Sequence, residues 1–237
     1  MKSGACFVFD LPGLAVSLGL VHCALTAPKL TLVHEFRPRA IAPHEAVLYP
    51  AAKMVAVACA LLGHAPGRSR KASRVVATAA TSYVEFVNAS IDPTAWNQRT
   101  GALMHGLVWA ASANPAERND LLGWLLATSS AQSMVSKILA TKGHWASSWT
   151  VAGALAELGP TRWLRSVAHR RGLTVRGAVF VLFMEVVPLF FYPSARWRGS
   201  AMASVALLHG LLWVGLNISF FHRVILAIAL FCDSRSR

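Results

Sequence analysis

Lys137 stands near the end of an apolar run, LLGWLLATSSAQSMVSKILA (121–140), in which Ser129, Gln132, Ser133 and Ser136 precede it at helical intervals. Such intervals gather polar groups onto one helix face. A lysine facing lipid costs roughly 2.5–3.5 kcal/mol on insertion scales. The face is therefore expected to turn inward, toward other helices or a wet cavity, with Lys137 near one membrane surface. An amine there can act as a base in proton abstraction, as half of an ion pair, or as a lysine snorkelling to the interface. A lysine used as a base must be partly unprotonated, which burial favours.

Glu185 lies inside another apolar run, GAVFVLFMEVVPLFFY (177–192), followed by Pro188. It reads as a buried acid with a basic or hydrogen-bonding neighbour, or as an acid–base catalyst. A Lys137–Glu185 pair would satisfy both charges. His105 and His209 each sit in an otherwise apolar segment. Each reads as a neutral histidine bonded between helices, or as a proton relay or cofactor contact. No metal-ligand spacing, nucleophile triad or Gly-rich phosphate loop is present. Cys6, Cys23, Cys59 and Cys232 are far apart, in or beside apolar runs, and read as buried free thiols.

The elements that must hold these residues are apolar helices. Of 237 residues, 55% are hydrophobic and 14% charged, against roughly a quarter charged in an ordinary soluble domain. The net charge of +13 is spread over short segments between apolar runs. That pattern suits membrane loops and not a nucleic-acid surface. The reading is all-α: a polytopic transmembrane bundle of seven or eight spans plus an interfacial helix, in one domain over 1–237.

The expected spans are about 11–27 (with a cleaved signal peptide as the alternative), 46–64, 75–91, 100–112, 121–140, 177–192, 200–216 and 218–231. Glu85 should face inward or lie near an end. The segment WASSWTVAGALAEL is expected to lie at the interface, with Trp145 and Trp149 at headgroup level. His22 and His144 read as interfacial, and Asn217 as a hairpin cap. The densest basic cluster, Arg68, Arg70, Lys71 and Arg74, marks the cytoplasmic side. With eight spans, 114–120, Arg196 and Arg198 fall on that side too. The basic segment 141–176 falls on the other, against the positive-inside tendency.

Three pieces resemble the HTTM domain, the multi-helix membrane domain shared with vitamin K-dependent gamma-carboxylase. They are SSAQSMVSKILATKGHWASSWTVAGAL, TRWLRSVAHRRGLTVRGAVFVLFMEVVPLFFY and LLHGLLWVGLNISFFHRVILAIALF. The first is similar to a family helix ending in small residue–x–x–Lys–Leu, with a turn, a Trp and an amphipathic helix after it. The second is similar to a helix with internal Glu-x-x-x-Pro-Leu or close variants. The third is similar to the closing hairpin. The likeness covers about 10–232. It implies that Lys137 stands where the carboxylase has the lysine thought to act on reduced vitamin K. The carboxylase's loop histidine has no counterpart in 114–120, and its large lumenal domain has none in this chain. Small family members include bacterial proteins needed to mature or export secreted peptides.

Three functions follow as expectations. The first is a membrane protein handling a lipid-soluble or peptide substrate in an interhelical polar cavity, with carboxylase-like or quinol-dependent chemistry. In it Lys137 and Glu185 would be catalytic, and His105 and His209 would contact a quinol or reduced vitamin K. The second is a non-catalytic accessory protein for maturing or exporting a secreted peptide. The third is an ion-coupled transporter using Lys137 and Glu185. Membrane lipid is the partner common to all, and the cell membrane the expected location.

Overall fold

Prolines and short polar side chains set where the helices begin. Asp10 caps α1 (Leu11–Thr26), accepting from the Gly13 amide at 3.0 Å, with Pro12 in the first turn. Asn114 caps the long helix 115–140, accepting from the Ala116 amide at 2.9 Å, with Pro115 at the first position. Both follow the preference for Asp or Asn at the cap and proline just inside it. Thr141, Lys142 and Gly143 then close that helix: Lys142 and Gly143 have φ of 50° and 82°, and the Gly143 amide donates to the Ile138 carbonyl at 2.8 Å. A left-handed exit of this kind favours glycine.

The computed structural model describes residues 10–27, 43–64, 69–89, 93–146, 150–159, 161–216 and 220–235. After α1 come α2 (Pro43–Leu62), α3 (Ser69–Ala89), α4 (Pro93–Ala111), α5 (Pro115–Ala140), α6 (Thr150–Leu158), α7 (Arg162–Val167), α8 (Arg171–Phe191), α9 (Arg198–Leu216) and α10 (Phe221–Arg235). A 3-10 turn, Ala195–Trp197, precedes α9. No strand occurs among the described residues, so the all-α expectation holds.

The long helices alternate in direction. At one end of the bundle the start of α1 meets the starts of α3 and α5 through Asp10, Arg70 and Arg118, with Arg70 3.6 Å and Arg118 2.5 Å from Asp10. Arg74 donates to the Gly63 carbonyl just past α2 at 3.1 Å and to the Trp109 carbonyl near the end of α4 at 3.4 Å. Asn119 donates to Asp233 of α10 at 3.2 Å. Arg198, opening α9, pairs with Asp120 at 2.8 Å. Tyr192, just past α8, donates to the Asp120 carbonyl at 3.1 Å. Eight helix ends therefore converge on one charged layer, while Lys137 approaches the opposite end of α5. The segments 114–120 and Arg198 lie on the same side as Arg70 and Arg74.

Within the bundle α1 packs on α2, α3, α4 and α10, and α5 packs on α8. The main apolar core runs through Leu20, Trp109, Leu122, Leu126, Met202, Val205 and Leu226. At Gly123 a Cβ would fall 1.9 Å from the Tyr192 hydroxyl, so the absence of a side chain sets how closely α8 approaches α5.

Among the described residues, two helices are long and apolar enough to cross a membrane, Pro43–Leu62 and Gly172–Phe191. Seven or eight were expected. Charges enter the first two turns of α3 (Arg70, Lys71, Arg74) and α5 (Glu117, Arg118, Asp120), and α1 has 16 residues. Several boundaries also differ: α4, α5 and α8 begin earlier than the apolar runs that marked them, and in α5 the polar first turn is capped by Asn114. The expected interfacial helix is limited to α6, with α7 as a second short helix after it. Trp145 is buried, at 9% exposure. Trp149 and Asn217 lie outside the described residues. Of the cysteines, Cys23 is buried, Cys59 half-buried and Cys232 exposed, all as free thiols, and Cys6 lies outside the described residues.

Candidate functional site

α5 and α8 carry the site between them. Side chains on a helix lean toward its N-terminus, so Lys137 reaches back along α5 and does not extend outward. Its amine donates to Ser133 Oγ at 2.8 Å, one turn earlier, and forms an ion pair with Glu185 Oε1 of α8. Ser133 Oγ donates to the same Oε1 at 2.9 Å. The Trp145 ring lies 5.3 Å from the amine, within cation–π range. The Lys137 side chain is 25% exposed and that of Glu185 5%. Glu185 Oε2 is buried with no hydrogen-bond partner.

The polar face of α5 is narrower than its sequence suggested. Ser129 and Ser133 are half-buried and Ser130 is buried, but Gln132 and Ser136 are exposed. A helix advances 100° per residue, so Leu126, Ser130, Ser133 and Lys137 form the inward line, and Gln132 and Ser136 lie well to one side of it.

A second part of the site comes from α9 and α10. His209 Nδ1 meets the Val205 carbonyl at 2.9 Å, and its Nε2 meets Arg223 Nη1 at 3.2 Å. Arginine only donates and a carbonyl only accepts. Nδ1 therefore carries the proton and Nε2 accepts. Both ring nitrogens are used by the protein, which leaves His209 nothing to offer a cofactor. Arg223 is close enough to Glu185 for their charges to act on each other. Lys137 thus pairs with Glu185 and His209 with Arg223, and the two pairs lie near enough for the charges of Arg223 and Glu185 to interact.

His105 enters from α4 but does not touch Lys137 or Glu185. It is buried at 3% exposure, with its ring centroid 6.0 Å from that of His222. Gly101, one turn earlier, gives α10 room: a Cβ there would stand 3.1 Å from His222 Nε2 and 3.5 Å from Arg223 Nε. Those two nitrogens are buried and unpartnered. His22 of α1, half-buried, stacks 4.7 Å from Phe221 at the start of α10. His222 and Arg223 were missed in the sequence. Their one signal was a charged residue at the start of the last apolar run, where Arg223 resembled a loop cation.

Elsewhere Glu85 is buried at 1%, near Tyr49 and Asn88, whose side chains bond at 3.0 Å between α2 and α3. In the charged layer, His64 sits just past α2 with its ring 5.3 Å from Trp109. Burial, and then the charge of Arg74, hold its pKa below the ordinary histidine value. Among the described residues no three His, Cys, Asp or Glu side chains are placed to hold a metal ion.

The chain matches no family model, no curated protein and no solved structure. The likeness to the HTTM domain therefore rests on its three motifs. A quinol does not fit the Lys137 group as arranged: the amine is engaged by Ser133, Glu185 and the Trp145 face, and His209 has no free nitrogen.

Proposed function

We propose that the chain is an integral protein of the cell membrane, an HTTM-like bundle of eight crossing helices with α6 and α7 at the interface. It handles a lipid-soluble or peptide substrate at the Lys137–Glu185–Arg223 group. The membrane reading is supported by what the apolar helices leave uncovered. Only 22% and 28% of the apolar windows of α2 and α8 is buried, whereas the core helix of a water-soluble protein would be mostly covered. Met54, Phe183, Phe190 and Val214 are 60–74% exposed. Lipid covers such surfaces without penalty.

The observation that carries the site is the shared oxygen: Glu185 Oε1 receives both Lys137 and Ser133 while Oε2 is left unpartnered. A substrate group that bonds Oε2 or displaces the amine from Oε1 would find charges already in place, held by packed helices. For Lys137 to take up a proton it must first pass one to Glu185, so the pair acts as a unit. The same arrangement supports a second reading, an ion-coupled carrier. A carboxylate paired with one cation and within electrostatic reach of a second can change partners as a proton or ion passes. An accessory role in maturing or exporting a peptide would need only the bundle.

The test begins with an alkaline carbonate wash of membranes holding the full chain. Release into the supernatant overturns the membrane reading. Purified protein is then screened by thermal shift with short apolar peptides and long-chain lipid amides. A ligand that binds only the folded state raises its stability by mass action. A ligand that stabilises the wild type but not Lys137→Met supports the site. Equal stabilisation of both overturns it. Proton flux in liposomes that Glu185→Gln abolishes would favour the carrier.

A further inference from the structure

A groove of about 290 Å³ runs between α3 and α4 on the outside of the bundle, away from Lys137. We propose that it holds one acyl chain of an anionic phospholipid, with the phosphate at Lys71. The inference rests on the membrane reading above and is independent of the Lys137 site.

The walls and floor argue for a chain of methylenes. Val75, Ala79, Leu107 and Ala111 contribute carbon. The floor's hydroxyls are already used: Thr78 Oγ1 donates to the Arg74 carbonyl at 2.9 Å, and Ser82 Oγ to the Thr78 carbonyl at 2.8 Å. A polar ligand would find no free donor there, and a hydrocarbon loses nothing. Alanines on both helices keep the trough open.

The mouth argues for a negative head. Lys71 lines the groove at the end where α3 begins and α4 finishes, in the charged layer. It is exposed and makes no ion pair or hydrogen bond among the described residues. Arg70 and Arg74, by contrast, are spent on Asp10, Gly63 and Trp109. The groove's axis therefore runs from an unspent cation at headgroup level into the apolar layer. This is the order of parts in a phospholipid, and basic pockets between helices take anionic heads in this way.

Native mass spectrometry of the full chain, purified in detergent and offered phosphatidylglycerol and phosphatidylcholine with identical chains, tests the assignment. The expected result is one retained phosphatidylglycerol, favoured about fivefold, the factor that corresponds to ~1 kcal/mol for one basic residue near an anionic surface. Lys71→Ala should remove the preference, and Ala79→Phe should remove the bound lipid. Both positions are exposed, and an unchanged melting temperature confirms the fold. Equal retention of the two lipids, preference surviving Lys71→Ala, or lipid surviving Ala79→Phe overturns the groove. Should the chain be released by carbonate, the membrane reading fails first. Loss of lipid preference in a chain that stays embedded overturns the groove alone.

Discussion

Lys137 of α5 and Glu185 of α8 are joined across 48 residues of sequence by an ion pair whose acceptor oxygen also takes the Ser133 hydroxyl. Glu185 is almost wholly buried and Lys137 is a quarter exposed. Removing one partner of a buried pair costs roughly 3–5 kcal/mol, because a charge is left without compensation. The partial exposure of the lysine puts Lys137→Ala and Glu185→Ala at the lower end, about 3 kcal/mol. The exchange Lys137→Glu with Glu185→Lys should recover at least half of that. Lys137→Met with Glu185→Met should recover part of the loss but fall short of wild type, because Arg223 then lacks the nearby carboxylate. Unfolding midpoints in detergent measure all four. A swapped variant no more stable than the worse single would mean that the pair is not an energetic unit.

The α5–α8 pairing could be read from residue types, and its wider setting could not. An amine and an acid inside apolar runs each require a partner, and few partners were on offer. The helical intervals around Lys137 indicated a polar face, but overlapping serines blurred its centre by about one residue, enough to place Gln132 and Ser136 inside when they are outside. Arg223 escaped because its role depends on the packing of α9, α10 and α4, which no local pattern encodes. That the chain is helical was legible in its apolar runs, whereas helix lengths were not: α5 begins at Pro115, ahead of its apolar run, because Asn114 caps a polar first turn.

His209 and Arg223 make a second coupled pair. His209→Ala should strand a buried guanidinium, and a buried donor without its acceptor costs about 1–3 kcal/mol, more when charged. Arg223→Met should be milder than the sum of its parts suggests. With both changed, the loss should fall well short of the two singles added, as expected for groups in contact. Nitrogen NMR of labelled His209 should show the proton on Nδ1. A proton on Nε2 would contradict the bond from Arg223.

Stability should fall in mild acid through His64. Its folded pKa is held below the ordinary histidine value by burial and by Arg74. Below about 6.5 the unfolded chain therefore takes up a proton that the folded chain resists. The contribution is complete above that pH, is lost as pH falls toward the folded pKa, and changes no further beneath it. Melting temperatures at pH 7.5 and pH 5 should drop less in His64→Gln than in the wild type. An identical drop in both would remove His64 from the account.

The membrane reading predicts a sign at Phe183 that a water-soluble bundle would reverse. Phe183 lies in α8 and is 60% exposed. In water, replacing an exposed phenylalanine by lysine removes apolar surface from solvent and should leave stability unchanged or improve solubility. In lipid the same lysine faces hydrocarbon near the centre of a crossing helix, at a cost of roughly 2.5–3.5 kcal/mol. Phe183→Lys should then lower the carbonate-resistant fraction and the melting temperature. Trp163→Lys, at a 70% exposed position on α7, should do neither, because an interfacial lysine reaches the headgroups. The pair of variants isolates depth: both replace an exposed aromatic by the same charge, and only the surrounding medium differs. Two equally tolerated lysines would place both aromatics in water.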